Sequence, residues 1–248
     1  MNKRLEEIFK TRKIIFEDLK VNLNSNVDIE EGEFISKIIK SINPKKTLEI
    51  GCAQGISSLF ICDALNGAAH HTILDPNQTS EWQCVGIRNL KHAGYSNFDL
   101  IEKGSEIGLP ELLDKNVKFD LIFIDGWHTF DHTLVDMFYS IKLLNIGGIL
   151  IVDDVGMRGV RKAVNYFYNF PNINFFGSTG KLKKTRSRMI FDFLKQSLKP
   201  FVFLTGNRIA SEIFNPDIRH RNTKLEASMV ALKKISDEQV PWNWFKEF

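Results

Sequence analysis

Apolar residues recur along this chain with two periods, helical and strand-like, and their alternation predicts the fold. Residues 4–20 set Leu5, Ile8, Phe9, Ile15, Phe16 and Leu19 on one helical face. A polar link, VNLNSNVD, follows, and Phe34, Ile35, Ile38 and Ile39 predict a second helix from Glu31 to Ser41, broken at Asn43-Pro44. Short apolar runs at Thr47–Ile50, His71–Leu74, Phe98–Ile101, Phe119–Ile124 and Ile149–Val152 then predict five buried strands. Helical patterns separate them: one starting at Ile56, Leu59 and Phe60, one over Trp82–Ala93, a short one around Leu109-Pro110-Glu111-Leu112, and one after His128. In that last helix Phe130, Leu134, Met137, Phe138, Ile141 and Leu144 form a stripe expected to be core, with Gly147-Gly148 ending it. A helix over Val160–Phe170 and strands at Ile173–Phe176 and Ala227–Leu232 complete the pattern. The expected fold class is α/β: one domain, 1–248, with a doubly wound, mostly parallel, seven-stranded sheet. Helices over 1–45 precede the sheet, and an insert over 177–226 precedes its last strand.

Composition narrows the class without changing it. Of the 248 residues, 43% are hydrophobic and 25% charged, as in ordinary globular proteins. A net charge of +3 is too small to argue for nucleic acid. Cys52, Cys62 and Cys84 make neither a disulfide framework nor a paired zinc spacing, so a reducing, cytoplasmic setting is expected. The N-terminus, MNKRLEEIFKTRK, is basic without an apolar core, so no secretory signal is expected. No apolar run is long enough to predict a membrane span.

Basic residues gather in the insert: Lys181, Lys183, Lys184, Arg186 and Arg188, then Arg219, His220, Arg221 and Lys224, with an amphipathic stretch at Met189–Lys199 between. They read either as a solvated face or as a recognition element for an acidic substrate or one lying on an anionic membrane surface. The aromatic C-terminus, PWNWFKEF, is expected to pack on the sheet edge or on a partner subunit of a homo-oligomer.

Candidate chemistry lies at the carboxyl ends of the predicted strands, where open α/β sheets bind ligands. After the first strand, Gly51 and Gly55 allow a tight turn and close backbone approach to a ligand before a helix N-terminus that can present N–H groups to an anion. Ile56 stands where a dinucleotide fingerprint would have its third glycine, which counts against a nicotinamide cofactor. Asp75 ends the second strand, placed to accept hydrogen bonds from a ribose diol or simply to start a turn before Pro76. Ser105 follows the third strand, at the ligand edge, as a helix N-cap, or both.

The fourth and fifth strands end in Asp125 and in Asp153-Asp154. Three carboxylates at one edge repel unless a cation neutralises them, and oxygen ligands suit magnesium or another hard divalent ion. The alternative assigns them to strand ends and a helix cap. His128, in the loop after Asp125, is a candidate general base toward a hydroxyl, since histidine titrates near neutral pH, and otherwise a helix cap.

The order LEIGCAQG, FIDGWH, VDDV resembles class I S-adenosylmethionine-dependent methyltransferases, and more narrowly the metal-dependent O-methyltransferases of the catechol and macrolide-sugar types, over about residues 30–170. The resemblance implies a Rossmann-like methyltransferase fold and S-adenosylmethionine held by the motif Glu49, Gly51, Ala53 and Gly55, with Ala53 in a glycine's place. By the same correspondence Glu49 faces the methionine amine, Ser57 its carboxylate, Asp75 the ribose and Ser105 the adenine, while Trp127 stands beside the cofactor. Magnesium falls to Asp125, Asp153 and Asp154, the last an Asp where the catechol type has Asn. The catechol type's catalytic lysine falls on His128, which points toward the sugar type and a sugar or other small-molecule acceptor. Residues 177–226 match nothing in the family. Two rivals share the fold: a nicotinamide-dependent oxidoreductase, and a non-catalytic binding protein that keeps the fold and uses its basic insert for partners.

Overall fold

The computed structural model describes residues 2–24, 26–180, 223–238 and 240–246. The N-terminal region holds α1 (Lys3–Thr11), a hairpin of β1 (Lys13–Ile15) and β2 (Lys20–Asn22), and α2 (Ile29–Ile42). The sheet and its helices follow as β3 (Lys46–Ile50), α3 (Ile56–Leu65), β4 (His70–Leu74), α4 (Val85–His92), β5 (Phe98–Ile101), α5 (Ser105–Asp114), β6 (Phe119–Ile124), α6 (Phe130–Leu143), β7 (Leu144–Val152), α7 (Arg158–Tyr168), β8 (Ile173–Ser178) and β9 (Val230–Lys234). Seven strands form one sheet in the order β5-β4-β3-β6-β7-β9-β8. All neighbours are parallel except β9, which runs antiparallel to both β7 and β8. This is the doubly wound sheet expected, and it reverses its winding between β3 and β6, the place where such sheets bind ligands.

Apolar side chains on both faces explain why β6 and β7 read as unbroken hydrophobic runs. Leu121, Phe123, Ile149 and Ile151 face one core layer with α1, α2 and α3; Ile122, Ile124, Leu150 and Val152 face the other, with α5, α6 and α7. The helix α3 is buried nearly all round, and Gly32 of α2 lies so close to it that a Cβ there would meet the Phe60 ring at 2.3 Å.

The expected helix over 4–20 stops at Thr11. Arg12 adopts the left-handed conformation (φ 55°) and its N–H closes the helix on the Ile8 carbonyl, after which Lys13–Ile15 pair with Lys20–Asn22. Antiparallel pairing thus overrides a helical-looking spacing. Trp82–Cys84 form a turn rather than helix, with Gln83 and Cys84 at positive φ. Gly147-Gly148 do not end α6: the chain enters β7 directly at Leu144, and the two glycines form a bulge against Phe119–Leu121.

The buried face of α6 is also rotated from the one its apolar stripe predicts. Thr133, Asp136, Met137, Ser140 and Ile141 are buried, whereas Phe130 and Phe138 are exposed. Close packing against α5 and α7 favours small and hydrogen-bonding side chains there: Asp136 accepts a hydrogen bond from Ser105 of α5. Among the described residues of the C-terminal segment, Trp244 packs on Phe170 (ring centroids 4.6 Å) and Tyr166, while Trp242 and Phe245 are exposed. β8 runs to Ser178, two residues beyond the expected strand; the basic groups and the Met189–Lys199 stretch of the expected insert lie outside the described residues, apart from Lys224, whose ammonium sits over the Phe175 ring. Among the described residues no helix is long and apolar enough to cross a membrane.

Two stability outcomes follow from this packing. Gly51 has φ +86° and a Cβ there would lie 2.1 Å from the Asp125 carbonyl oxygen, whereas Gly67, at φ +72°, has nothing within 4 Å. Urea unfolding should show Gly67→Ala costing about 1–2 kcal/mol, the left-handed penalty alone, and Gly51→Ala more than about 3 kcal/mol or failing to fold. Burial pushes the Asp136 carboxyl up to about 6, against the partial relief of its Ser105 hydrogen bond. A raised folded value means the native state holds this proton more tightly, so the associated stability is present at low pH and lost as pH rises through about 6. Asp136→Asn should therefore gain about 1 kcal/mol on the native protein between pH 5 and pH 7.5; a gap that does not widen with pH would contradict the assignment.

Candidate functional site

The glycine turn between β3 and α3 is held from three sides. Gly51 donates its N–H to the Leu74 carbonyl (2.9 Å) and presses against the backbone of Asp125 and Gly126 at the end of β6. Ala53 (φ 45°) and Gly55 (φ 78°) take left-handed conformations, and Gly55 abuts the Gly86 backbone, where a Cβ would meet Gly86 Cα at 2.7 Å. The glycines thus admit neighbouring protein backbone, where the sequence suggested room for a ligand. Gln54 ties the turn to the N-terminal region, donating from Nε2 to the Asn22 carbonyl and accepting from the Asn24 N–H through Oε1. Its carbonyl takes a hydrogen bond from Asn89 Nδ2, and Asn89 Oδ1 in turn accepts from the buried Arg4 guanidinium of α1.

Asp75 stands at the end of β4 as expected, but its carboxylate is already engaged. Oδ2 accepts from the Cys52 and Ala53 N–H groups (2.9 Å each) and from Gln78 Nε2 (3.0 Å), and Oδ1 accepts from the Asn77 N–H (2.8 Å). In this arrangement it braces the glycine turn. Gln78, which the sequence did not flag, also donates to the Ala53 carbonyl, and its Oε1 is buried without a partner.

Glu49, two residues before the turn, is fully buried. Its Oε2 accepts from the Ser58 hydroxyl and lies 3.1 Å from His71 Nε2, while Oε1 has no hydrogen-bond partner. Ser57 is buried in the first turn of α3, whose N-cap, Gly55, supplies no side-chain cap. A buried carboxylate oxygen awaiting a donor beside a helix start awaiting an acceptor complements a zwitterion: an ammonium for the first, a carboxylate for the second. The residues present fit the amino-acid moiety of S-adenosylmethionine.

The acidic centre forms where β6 and β7 run side by side, Ile124 paired with Val152. Asp125 continues from β6, its N–H bonded to the Ile50 carbonyl, and Asp153 continues from β7, its N–H bonded to the Ile124 carbonyl. Asp154 then leaves the strand in the left-handed conformation (φ 53°). His128 Nε2 lies 3.5 Å from Asp154 Oδ2 and 3.9 Å from Asp125 Oδ1. One ligand atom from each of Asp125, His128 and Asp154 falls within 4.8 Å of the others, a spacing that can hold a metal ion. Asp153, expected as a third carboxylate ligand, is not part of this group: it is buried, and its Oδ1 accepts the Asp154 N–H at 2.7 Å, orienting the turn.

The electrostatics leave this cluster short of positive charge. Burial, and then repulsion from Asp153 and Asp154, push the Asp125 carboxyl well above its usual range. Burial and the nearby Glu31 push Asp153 up to about 8. Glu31 itself is raised, chiefly by burial and in part by Asp154. It comes from the first turn of α2, where it closes a capping box with Asp28. Only tertiary structure brings it here; no spacing in the sequence signals it. A divalent cation would relieve all four carboxylates.

Around the centre, Ser105 is the first residue of α5 rather than its N-cap, which is Gly104, and its hydroxyl serves Asp136. Asp136, Trp127, His128 and Asp153 line a small cavity beneath the β6–α6 loop. Trp127 is 65% exposed at the rim, its ring 6.4 Å from that of His132. The expected residues therefore form two groups, Glu49, Gly51, Ala53, Gly55, Ser57 and Asp75 around the glycine turn, and Asp125, His128 and Asp154 at the acidic edge. The Gly51–Asp125 backbone contact joins them.

Residues 48–155 match a family described as methyltransferase domain. Over 149 residues the chain is 30% identical to catechol O-methyltransferase B of Danio rerio, covering 58% of this chain and 55% of that protein. Over 140 residues it is 30% identical to caffeoyl-CoA O-methyltransferase of Populus kitakamiensis, covering 54% and 57%. The chain thus spans little more than half the length of these curated relatives. Among solved structures, an O-methyltransferase from Bacillus cereus in complex with SAH superposes with a TM-score of 0.59 at 18% identity, over 71% of this chain and 83% of that one. Residues 48–155 thus match a methyltransferase domain, and the sheet topology is that of the Rossmann-like methyltransferase fold.

Proposed function

We propose that this protein transfers a methyl group from S-adenosylmethionine to a hydroxyl of a small molecule, with a divalent cation at the acidic edge. One observation carries the reading: the buried Glu49 carboxylate, with Oε1 unpartnered beside the start of α3, is joined through the Gly51–Asp125 contact to a cluster of Asp125, Asp154 and His128. The catechol and caffeoyl-CoA O-methyltransferases similar to this chain support methyl transfer to oxygen. A histidine where the catechol type has lysine favours a sugar or other small-molecule hydroxyl over a catechol.

When bound, S-adenosylmethionine would supply an electrophilic methyl and a cation would supply charge that orients and acidifies the acceptor hydroxyl. Asp125 and Asp154 would hold the cation, and His128, whose Nε2 lies 3.5 Å from Asp154 Oδ2 and 3.9 Å from Asp125 Oδ1, would take the acceptor's proton at Nε2. Its side chain is 37% exposed, so the proton can pass on to water. Glu49 and the start of α3 fix the donor, and alignment of the two reactants supplies much of the acceleration. The geometry also favours a second reading of one residue: His128 lies close enough to both carboxylates to be a cation ligand instead of the base.

Calorimetric titration of S-adenosylmethionine into the magnesium-loaded protein should give micromolar binding; absence of binding would remove the methyltransferase reading. Manganese titration followed by electron paramagnetic resonance should show Asp125→Asn and Asp154→Asn each weakening the metal by about tenfold or more. With an acceptor identified from a panel of sugars and phenols, His128→Ala should lower turnover by about a hundredfold and leave manganese affinity unchanged. A parallel loss of manganese affinity in His128→Ala would instead make His128 a ligand.

A further inference from the structure

His71 sits at the centre of a buried polar chain that the reaction does not use directly. It lies on β4 beside β3, with its backbone in register with Thr47, and is fully buried. Its Nδ1 is 2.9 Å from the Thr47 hydroxyl and its Nε2 3.1 Å from Glu49 Oε2. The same Glu49 oxygen accepts from the Ser58 hydroxyl of α3, and Ser58 Oγ lies 3.3 Å from Cys52 Sγ in the glycine turn. All the donors converge on Oε2 and leave Oε1, buried, with none.

Nothing about folding requires this arrangement. A buried carboxylate is costly unless its oxygens are satisfied, and apolar residues at positions 47, 49 and 71 would fill a strand core at lower cost. A chain that satisfies one oxygen and leaves the other bare instead fixes Glu49 in one rotamer and leaves it able to accept one more donor. The imidazole contributes both parts. Its Nε2, 3.1 Å from Oε2, holds that oxygen in place, and Thr47 pins the ring by engaging the opposite nitrogen.

We propose that His71 is a positioning residue for the donor's amino-acid end: held by Thr47, it locks Glu49 so that Oε1 accepts the ammonium of the methionine moiety. This rests on the S-adenosylmethionine reading above and adds the residue that makes Glu49 competent. It assigns His71 no contact with the donor and no proton transfer.

The test compares two probes. S-adenosylhomocysteine carries the amino-acid end, and 5′-methylthioadenosine keeps the adenosine thioether but lacks it. Both are titrated into native protein, His71→Leu, which removes the donor, and His71→Gln, which retains an N–H. Loss of one hydrogen bond to a charged group predicts that His71→Leu weakens S-adenosylhomocysteine by about tenfold or more, with 5′-methylthioadenosine unchanged within about twofold and affinity recovered in His71→Gln. Equal weakening of both probes would reduce His71 to a structural core residue, and no weakening of either would overturn the proposal outright.

Should His71→Leu not fold, the native protein still decides the matter. The ¹⁵N resonances of the His71 ring should move on adding S-adenosylhomocysteine and stay in place with 5′-methylthioadenosine. A ring that does not respond to S-adenosylhomocysteine overturns the proposal. Failure of the native protein to bind either probe counts against the methyltransferase reading itself, which keeps the two failures apart.

Discussion

The site depends on the close approach of two backbones, Gly51 at the end of β3 and Asp125 at the end of β6. No side chain fits between them, since a Cβ at Gly51 would fall 2.1 Å from the Asp125 carbonyl oxygen. The contact lies where the sheet reverses its winding, so the two adjacent parallel strands send their following helices to opposite faces and open a crevice. Because the backbones touch, the buried Glu49 carboxylate and the acidic edge around Asp125 are held on one rigid frame. For the methyl transfer proposed above, donor and acceptor would have to meet within a few tenths of an ångström of ideal geometry, and a shared rigid frame would make that alignment a property of the fold.

A second organising force is uncompensated negative charge. Asp125, Asp153, Asp154 and Glu31 come from three elements and are held together despite repulsion and burial, which raise the carboxyl values of Asp125, Asp153 and Glu31. Such a cluster lowers the stability of the protein, and a cation bound there would return that energy as affinity. Elsewhere the acids are satisfied by design of the backbone: Asp75 accepts four hydrogen bonds and stiffens the glycine turn. The same residue type thus braces the turn at the end of β4 and stands uncompensated at the ends of β6 and β7.

Much of this was legible from residue order. Apolar runs marked every strand of the sheet, because strands buried on both faces have almost no choice of side chain. The positions of Asp125, His128 and Asp154 just after those runs marked the edge where they meet. The misreadings share a cause. The residues 13–22 hairpin, the bulged entry to β7 and the buried polar face of α6 are set by partners distant in sequence, and local spacing carries no trace of them. Asp153 and Asp154 looked equivalent as neighbours, yet the left-handed turn at Asp154 separates their roles.

The sequence by itself determined the sheet, the glycine turn and the identity of the acids and imidazole at its edge, because strand periodicity and turn chemistry are local properties of the chain. Only the tertiary structure decided which of those groups act together. It brought Glu31 from α2 to the acidic cluster, gave Asp75 to the turn instead of to the solvent, and placed His71 behind Glu49 so that a single carboxylate oxygen was left without a partner. The reason is physical: charge repulsion, desolvation and hydrogen-bond saturation depend on distances in space, and those are established when β3, β4, β6 and α2 pack, not when they are read in order.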